Sequence, residues 1–225
     1  MIFNKLTQRS PRRGLVVAVF GLIGLLFGAS ASAAMLNFPT NICLGITDCA
    51  DGSFISDTYA DISGALEVSM RNLQGEPTLT ELRYWNSGYG DLQGVAWTRR
   101  SDAVSQAEIF LKPLSGRIVT LSAFDLAAFD NVARPSQFTI LDGDFTVLFE
   151  SGPLTVPAQL HSHFTFTGLT TTNGIRIQWG PSAFNVAIDN IDFTASFVGQ
   201  PVPVPPAATL FAGGLALLAR RRYRA

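Results

Sequence analysis

The 225-residue chain carries 16 Lys and Arg against 17 Asp and Glu, with 47% apolar residues. Eight of the bases lie in the first 13 and last six residues, while every acid lies between Asp48 and Asp192. Residues 34–199 therefore hold 8 bases against 17 acids, a net charge of −9. A surface of that sign repels nucleic acid and anionic lipid and stays in solution, which disfavours DNA or RNA as a partner.

Taken in chain order, Lys5, Arg9, Arg12 and Arg13 precede an apolar run from Gly14 to Gly28 and then Ala-Ser-Ala-Ser-Ala-Ala. That order predicts a signal peptide over residues 1–33, cleaved after Ala33 by the small-x-small rule. Arg12-Arg13 is a twin-arginine pair, but Pro11 and Gly14 fit that pathway's pattern poorly, so ordinary Sec export is expected. Cys43 and Cys49 are the only cysteines. In a chain that leaves the cytoplasm, their spacing predicts a small-loop disulfide inside a loop from Asn37 to Ser53.

Beyond residue 54 the pattern is of short strands broken by turns. Leu66, Val68 and Met70 alternate with polar neighbours, and a strand is expected from Leu79 to Trp85. Val104 to Lys112, Ile118 to Phe124, Phe138 to Leu141 and Phe145 to Phe149 follow, with Asp142-Gly143 as a hairpin signal. Leu160 to Thr167, Ile175 to Trp179 and Phe184 to Phe197 complete the set, and Ala123 to Phe129 is allowed a single helical turn. About ten strands and no sustained helical stripe predict an all-β fold, an antiparallel β-sandwich over residues 34–199. In the last segment the apolar positions 184, 186 and 188 change parity to 191 and 193, which predicts a β-bulge at Asp189-Asn190.

Three sets of side chains bear on chemistry. Tyr84, Trp85, Asn86, Tyr89, Asp91 and Trp97 lie in a segment rich in aromatic, Gly, Asn and Asp residues. One exposed ring there stacks on a pyranose while Asn86 and Asp91 bond its hydroxyls; the competing expectation is that these rings pack the sandwich. His161 and His163 share a strand face at a spacing that chelates transition metals, without a Cys or Glu at motif distance. For catalysis the sequence lacks the nucleophile-elbow, H-E-x-x-H, P-loop and dinucleotide patterns. Glu67, Glu81, Glu108 and Glu150 supply carboxylates for a glycosidase, yet solvent-facing charge accounts for Glu67.

The chain ends in a Pro-rich spacer at 200–206, an apolar run at 207–219 and a basic stop at 220–225 with Arg220, Arg221, Arg222 and Arg224. Thirteen helical residues reach about 20 Å, short of a bilayer core unless the arginine stems extend them. Val202-Pro203-Val204-Pro205-Pro206-Ala207 followed by helix and arginines resembles the PEP-CTERM sorting signal, in its VPLPA variant, with Val for Leu and one extra Pro. The resemblance implies a membrane-anchored intermediate, an exosortase-type processing enzyme as partner, and release to the cell surface or extracellular matrix.

The Ile188-Asp189-Asn190-Ile191-Asp192-Phe193 ending, with an early Asp-rich loop, resembles galactose-binding-like jelly-roll domains of exported bacterial proteins. That resemblance implies a structural calcium between the first loop and the last strand, with Asp48, Asp51, Asp57, Asp61, Asp189 and Asp192 as oxygen donors. Taken together, the sequence predicts a non-catalytic, carbohydrate-associated or structural protein of the cell surface, with extracellular polysaccharide as ligand. The alternatives are a polysaccharide hydrolase or lyase, and a self-associating matrix or adhesion protein.

Overall fold

The computed structural model describes residues 32–73, 81–99 and 105–199. The bulk of the signal peptide and all of the spacer, sorting motif (Val202 to Ala207), apolar tail and basic stop lie outside them, as do residues 79 and 80 of the strand expected at Leu79 to Trp85. Twelve strands form among the described residues: β1 (Ser32–Leu36), β2 (Leu66–Asn72), β3 (Arg83–Trp85), β4 (Val95–Trp97), β5 (Ala107–Pro113) and β6 (Arg117–Ala128), then β7 (Arg134–Asp142), β8 (Val147–Glu150), β9 (Leu154–Val156), β10 (Ser162–Thr171), β11 (Ile175–Gly180) and β12 (Val186–Phe197). No helix among the described residues is long and apolar enough to cross a membrane.

All pairings are antiparallel. One sheet runs β10-β6-β12-β4-β3 with β1 added to β12; the other runs β2-β5-β11-β7-β8 with β9 added to β7. Most successive strands lie in opposite sheets: only β3 to β4, β7 to β8 and β8 to β9 stay within one, the repeated crossing of a jelly-roll-like sandwich. Period-two alternation selects the core. Val68 and Met70 on β2, Ile109 and Leu111 on β5, and Ile175 and Ile177 on β11 point inward from one sheet. Leu121, Phe124 and Leu126 on β6 and Ile188 and Phe193 on β12 meet them from the other. Phe124 and Phe138 join the layers with ring centroids 4.9 Å apart at a steep angle.

Four local expectations meet the structure directly. Cys43 and Cys49 form the disulfide, with Cα atoms 5.5 Å apart, inside the irregular segment before β2. The Asp142 hairpin forms as its chemistry demands: Asp142 Oδ1 accepts the backbone N–H groups of Asp144 and Thr146, both at 2.9 Å. Ala123 to Phe129 is not a helical turn: 123–128 belong to β6 and 129 to an isolated bridge, because an uninterrupted strand buries Phe124, Leu126 and Ala128 between the sheets. Finally, β1 runs through the expected cleavage site at Ala33. Ala34, Met35 and Leu36 pair with Phe193, Asp192 and Ile191 on the same strand that carries the bulge.

Candidate functional site

The bulge expected at Asp189-Asn190 is present and builds the site. The β12–β6 register shifts between Asp189 and Asp192, and Asn190 takes a positive φ of 51°. In a regular strand Asn190 would follow Ile188 into the core. The bulge gives that place to Ile191 and turns Asn190 outward, where Nδ2 donates to Asp125 Oδ2 at 2.8 Å. From the other side, β10 sets His163 directly opposite Asp125, and His163 Nδ1 lies 2.6 Å from Asp125 Oδ1. The almost fully buried Asp125 carboxylate is thus gripped by one donor per oxygen, while the His163 side chain stays 53% exposed.

Beside this pair lies an open cleft of about 520 Å³, lined by Met35, Ser122, Ala123, Asp125, His163, Thr165, Asn190 and Asp192. Its floor exists because both neighbours of β6 lose register at the same level. The β12 pairing passes from Ala123 to Leu121 across Ser122, and the β10 pairing jumps from Thr165 to Leu169. Small side chains then face outward where a regular sheet would present a closed surface.

The segment Asn86 to Gly94 folds over the adjoining part of the same face. Gly90 N–H donates to Ala128 O at 3.0 Å, and Asp91 Oδ1 accepts both the backbone N–H of His161, at 2.8 Å, and its ring Nδ1, at 2.9 Å. Burial works to raise the Asp91 pKa, but the hydrogen bonds from His161 outweigh it and hold this carboxyl below its usual range. His161 Nε2 reaches to 3.9 Å from Asp125 Oδ1, so the two histidine–aspartate pairs are neighbours.

Next to Asp125 sits Asp189, its cross-strand partner. Burial pushes the Asp189 carboxyl up to about 7; backbone N–H groups of Asn190 and Phe38 act against this, and the charge of Asp125 adds to it. Its Oδ1 has no hydrogen-bond partner. Burial also pushes the nearby Tyr59 hydroxyl up to about 12, with the Asp189 charge contributing.

The expected aromatic platform is largely interior. Tyr84 points into the inter-sheet core, with its hydroxyl donating to Asn86 Oδ1 at 3.0 Å. Trp85 points the opposite way, as strand geometry requires, into a second small core on the outer face. There Trp97 and Tyr89 are buried, Trp97 meets Trp85 edge-on at 5.3 Å, and Phe129 and Phe184 close the cluster. The hydroxyl of Tyr89 donates to Phe184 O at 2.5 Å and Trp97 Nε1–H to Tyr84 O at 3.2 Å. Both faces of β3 are covered, so Tyr84, Tyr89 and Trp97 present no ring to a sugar; Trp85 is half-buried, and Asn86 and Asp91 are exposed.

The oxygen donors expected for calcium do not converge. Asp51 Oδ1 accepts the N–H of Asn86, 35 residues away, and Asp61 Oδ1 that of Val68, both at 2.7 Å, so each ties its loop to another segment. Asp48 and Asp57 are exposed, while Asp189 and Asp192 lie on opposite sides of the bulge. Among the described residues no group of three or more His, Cys, Asp or Glu is placed to hold a metal. His161 and His163 share a face as expected, but each directs Nδ1 to a different carboxylate. Asp125, Asn190, Ser122, Thr165 and Met35 were not legible as site residues. The available signal was a lone acid, Asp125, inside the apolar run Leu121 to Ala128.

No protein-family model matches the chain, and no curated protein does. Among solved structures, the chain is similar to the C-terminal family 22 carbohydrate-binding module of Clostridium thermocellum Xyn10B, at 15% identity and a TM-score of 0.33, over 68% of this chain and 99% of that one. It is similar to a CBM4 structure at 17% identity and TM-score 0.32, over 66% and 95% of the two chains. A third likeness, at 12% identity and TM-score 0.34, is to the enzymatically active domain of the bacteriophage CBA120 tailspike protein 4, over 70% of this chain and 21% of that one. Likenesses of this size decide neither ligand nor activity; what is established is an all-β, antiparallel two-sheet domain.

Proposed function

We propose that this chain is an exported, non-catalytic carbohydrate-binding protein that takes a neutral glycan in the cleft beside Asp125. The observation that supports it is the fixed Asp125 carboxylate, held by His163 and Asn190 at the edge of an open cleft whose other polar groups are Thr165, Ser122 and Asp192. Sugar hydroxyls both donate and accept, so they pair with a lining that mixes carboxylates, an amide, an imidazole and hydroxyls. The cleft volume falls within the range of small-ligand sites, and Met35 and Ala123 offer apolar surface to a sugar ring. A net charge of −9 over residues 34–199 works against an acidic polymer.

In this reading the N-terminal leader exports the chain, an exosortase-type enzyme processes the tail, and the domain works at the cell surface or in the polysaccharide matrix. Cleavage after Ala33 leaves Ala34 to Leu36 paired with β12, and so leaves Met35 at the cleft. The hydrolase or lyase reading has one observation on its side: two carboxyl groups, Asp125 and Asp192, line the same cleft. Affinity electrophoresis through neutral polysaccharides, run beside a reducing-end assay on the same glycans, separates the two. Retardation without new reducing ends is expected; product release supports the enzyme, and no retardation by any glycan contradicts both.

A further inference from the structure

On the other side of the sandwich, the outer face of the second sheet carries a ladder of polar side chains aligned across five strands. Arg71 on β2 stands opposite Glu108 on β5, Glu108 opposite Gln178 on β11, Gln178 opposite Thr139 on β7, and Thr139 opposite Glu150 on β8. Four inter-strand steps of about 4.8 Å make a row about 19 Å long. The row is fixed from beneath. Glu108 is fully buried, and its carboxylate accepts from Arg71 at 2.7 Å, Arg176 at 2.8 Å and Gln178 Nε2 at 2.6 Å. Arg176 is further held over the Phe110 ring, 3.8 Å from its centroid.

A face that merely meets water does not need such fixing. The Glu67–Lys112 pair at the far end of the same face, with both side chains 54% exposed, shows the ordinary alternative. Along the fixed row, Gln178 commits its Nε2 to Glu108 and keeps its carbonyl oxygen as an acceptor. Gln178 and Thr139 then share a shallow hollow with Gln106, Gln137 and Gly180. Three amides and a hydroxyl in one hollow form an uncharged lining that both donates and accepts.

We infer that this row is a second glycan-binding face, taking a neutral polysaccharide chain laid across the strands, so that one molecule bridges two polymer chains. Amides and hydroxyls pair with sugar hydroxyls without asking for charge, and Gln137, Thr139 and Gln178 present them together across the neighbouring strands β7 and β11, between the charged ends of the row. The inference rests on the carbohydrate reading of the cleft for its bridging consequence, but uses none of the cleft's residues.

The test titrates the whole protein with a short neutral oligosaccharide for stoichiometry, and with the long polymer for turbidity. It compares wild type, the triple variant Gln137→Ala/Thr139→Ala/Gln178→Ala and the cleft variant Asp125→Asn, each checked for an unchanged circular dichroism spectrum and a monomeric mass. Two oligosaccharide sites and polymer bridging are expected in wild type. Each variant should keep one site and lose bridging by at least tenfold. Should Gln178→Ala disturb the Glu108 network, the double variant Gln137→Ala/Thr139→Ala carries the same expectation. One site in wild type, removed by Asp125→Asn, overturns the second face and leaves the cleft standing. Bridging unchanged in the triple variant overturns the second face, and an Asp125→Asn variant that keeps both sites overturns the cleft.

Discussion

Asp125 and Asp189 stand directly opposite each other on β6 and β12, facing the same side of the sheet, and the protein treats them differently. Asp125 is gripped by His163 and Asn190, whereas Asp189 is buried with Oδ1 unpaired. A buried carboxyl without full hydrogen bonding beside another carboxylate favours its neutral form. Both strands are central to their sheet, so the imbalance is built into the framework and not into a mobile edge.

The first prediction follows from Asp189. Its folded pKa, pushed up to about 7, lies above the unfolded value of about 3.9. The folded state therefore holds a proton that the unfolded state has already released. Its contribution to stability is greatest below about pH 4, falls as pH rises toward about 7, and is flat above that. Asp189→Asn should remove this slope and stabilise the domain at pH 8, on the order of a few kcal/mol. Thermal melts of both proteins from pH 4 to 8 check it; parallel curves contradict it.

The aromatic cluster on the outer face gives a second prediction. Trp97 is buried against Trp85 and Phe184, so Trp97→Ala should cost about 3–5 kcal/mol. Glycan affinity of the fraction that remains folded should not change. Urea unfolding beside a binding isotherm separates the two effects, and a stable variant with lost affinity would return these rings to the binding site.

Gly94 gives the third. Its φ is +76°, and an added Cβ would lie 2.0 Å from Phe38 O, a backbone atom that cannot step aside cheaply. Gly94→Ala should destabilise by more than about 1 kcal/mol and disturb the Asn86 to Gly94 segment that holds His161 through Asp91. Chemical denaturation measures the loss, and a neutral result contradicts the close approach.

The disulfide gives the fourth. Cys43 and Cys49 close a short loop, for which chain entropy assigns about 2 kcal/mol. Replacing both by Ala should lower stability by about that amount, since Ile42 and Ile55 still anchor the loop to the core. Denaturation under oxidising conditions tests it, and global unfolding of the variant contradicts it.

Much of the fold was legible because period-two alternation and turn chemistry are local. Asp142-Gly143 marks its hairpin, and the change of parity across Asp189-Asn190 marks the bulge. What was not legible depended on contacts between distant segments. The sequence near Tyr84 and Trp85 does not say that Phe129 and Phe184 cover the outer face; it is the competing expectation of packing that the rings meet, Tyr84 in the main core and Trp85, Tyr89 and Trp97 in a second one. Asp125 became a site residue only when β10 brought His163 across from 38 positions away and the bulge turned Asn190 toward it. The placing of the six acids read as one calcium set depends on the same kind of contact: Asp51 and Asp61 each accept a backbone amide, of Asn86 and Val68, that loop sequence does not announce.

The most direct test is an NMR titration of the isotopically labelled protein with a neutral oligosaccharide that retards it in affinity electrophoresis. Saturable shifts centred on His163, Thr165, Asn190 and Asp192, reduced at least tenfold in affinity by Asp125→Asn with an unchanged circular dichroism spectrum, are the predicted result. Shifts that leave those four residues untouched, or an Asp125→Asn variant that binds like wild type, would contradict the glycan cleft.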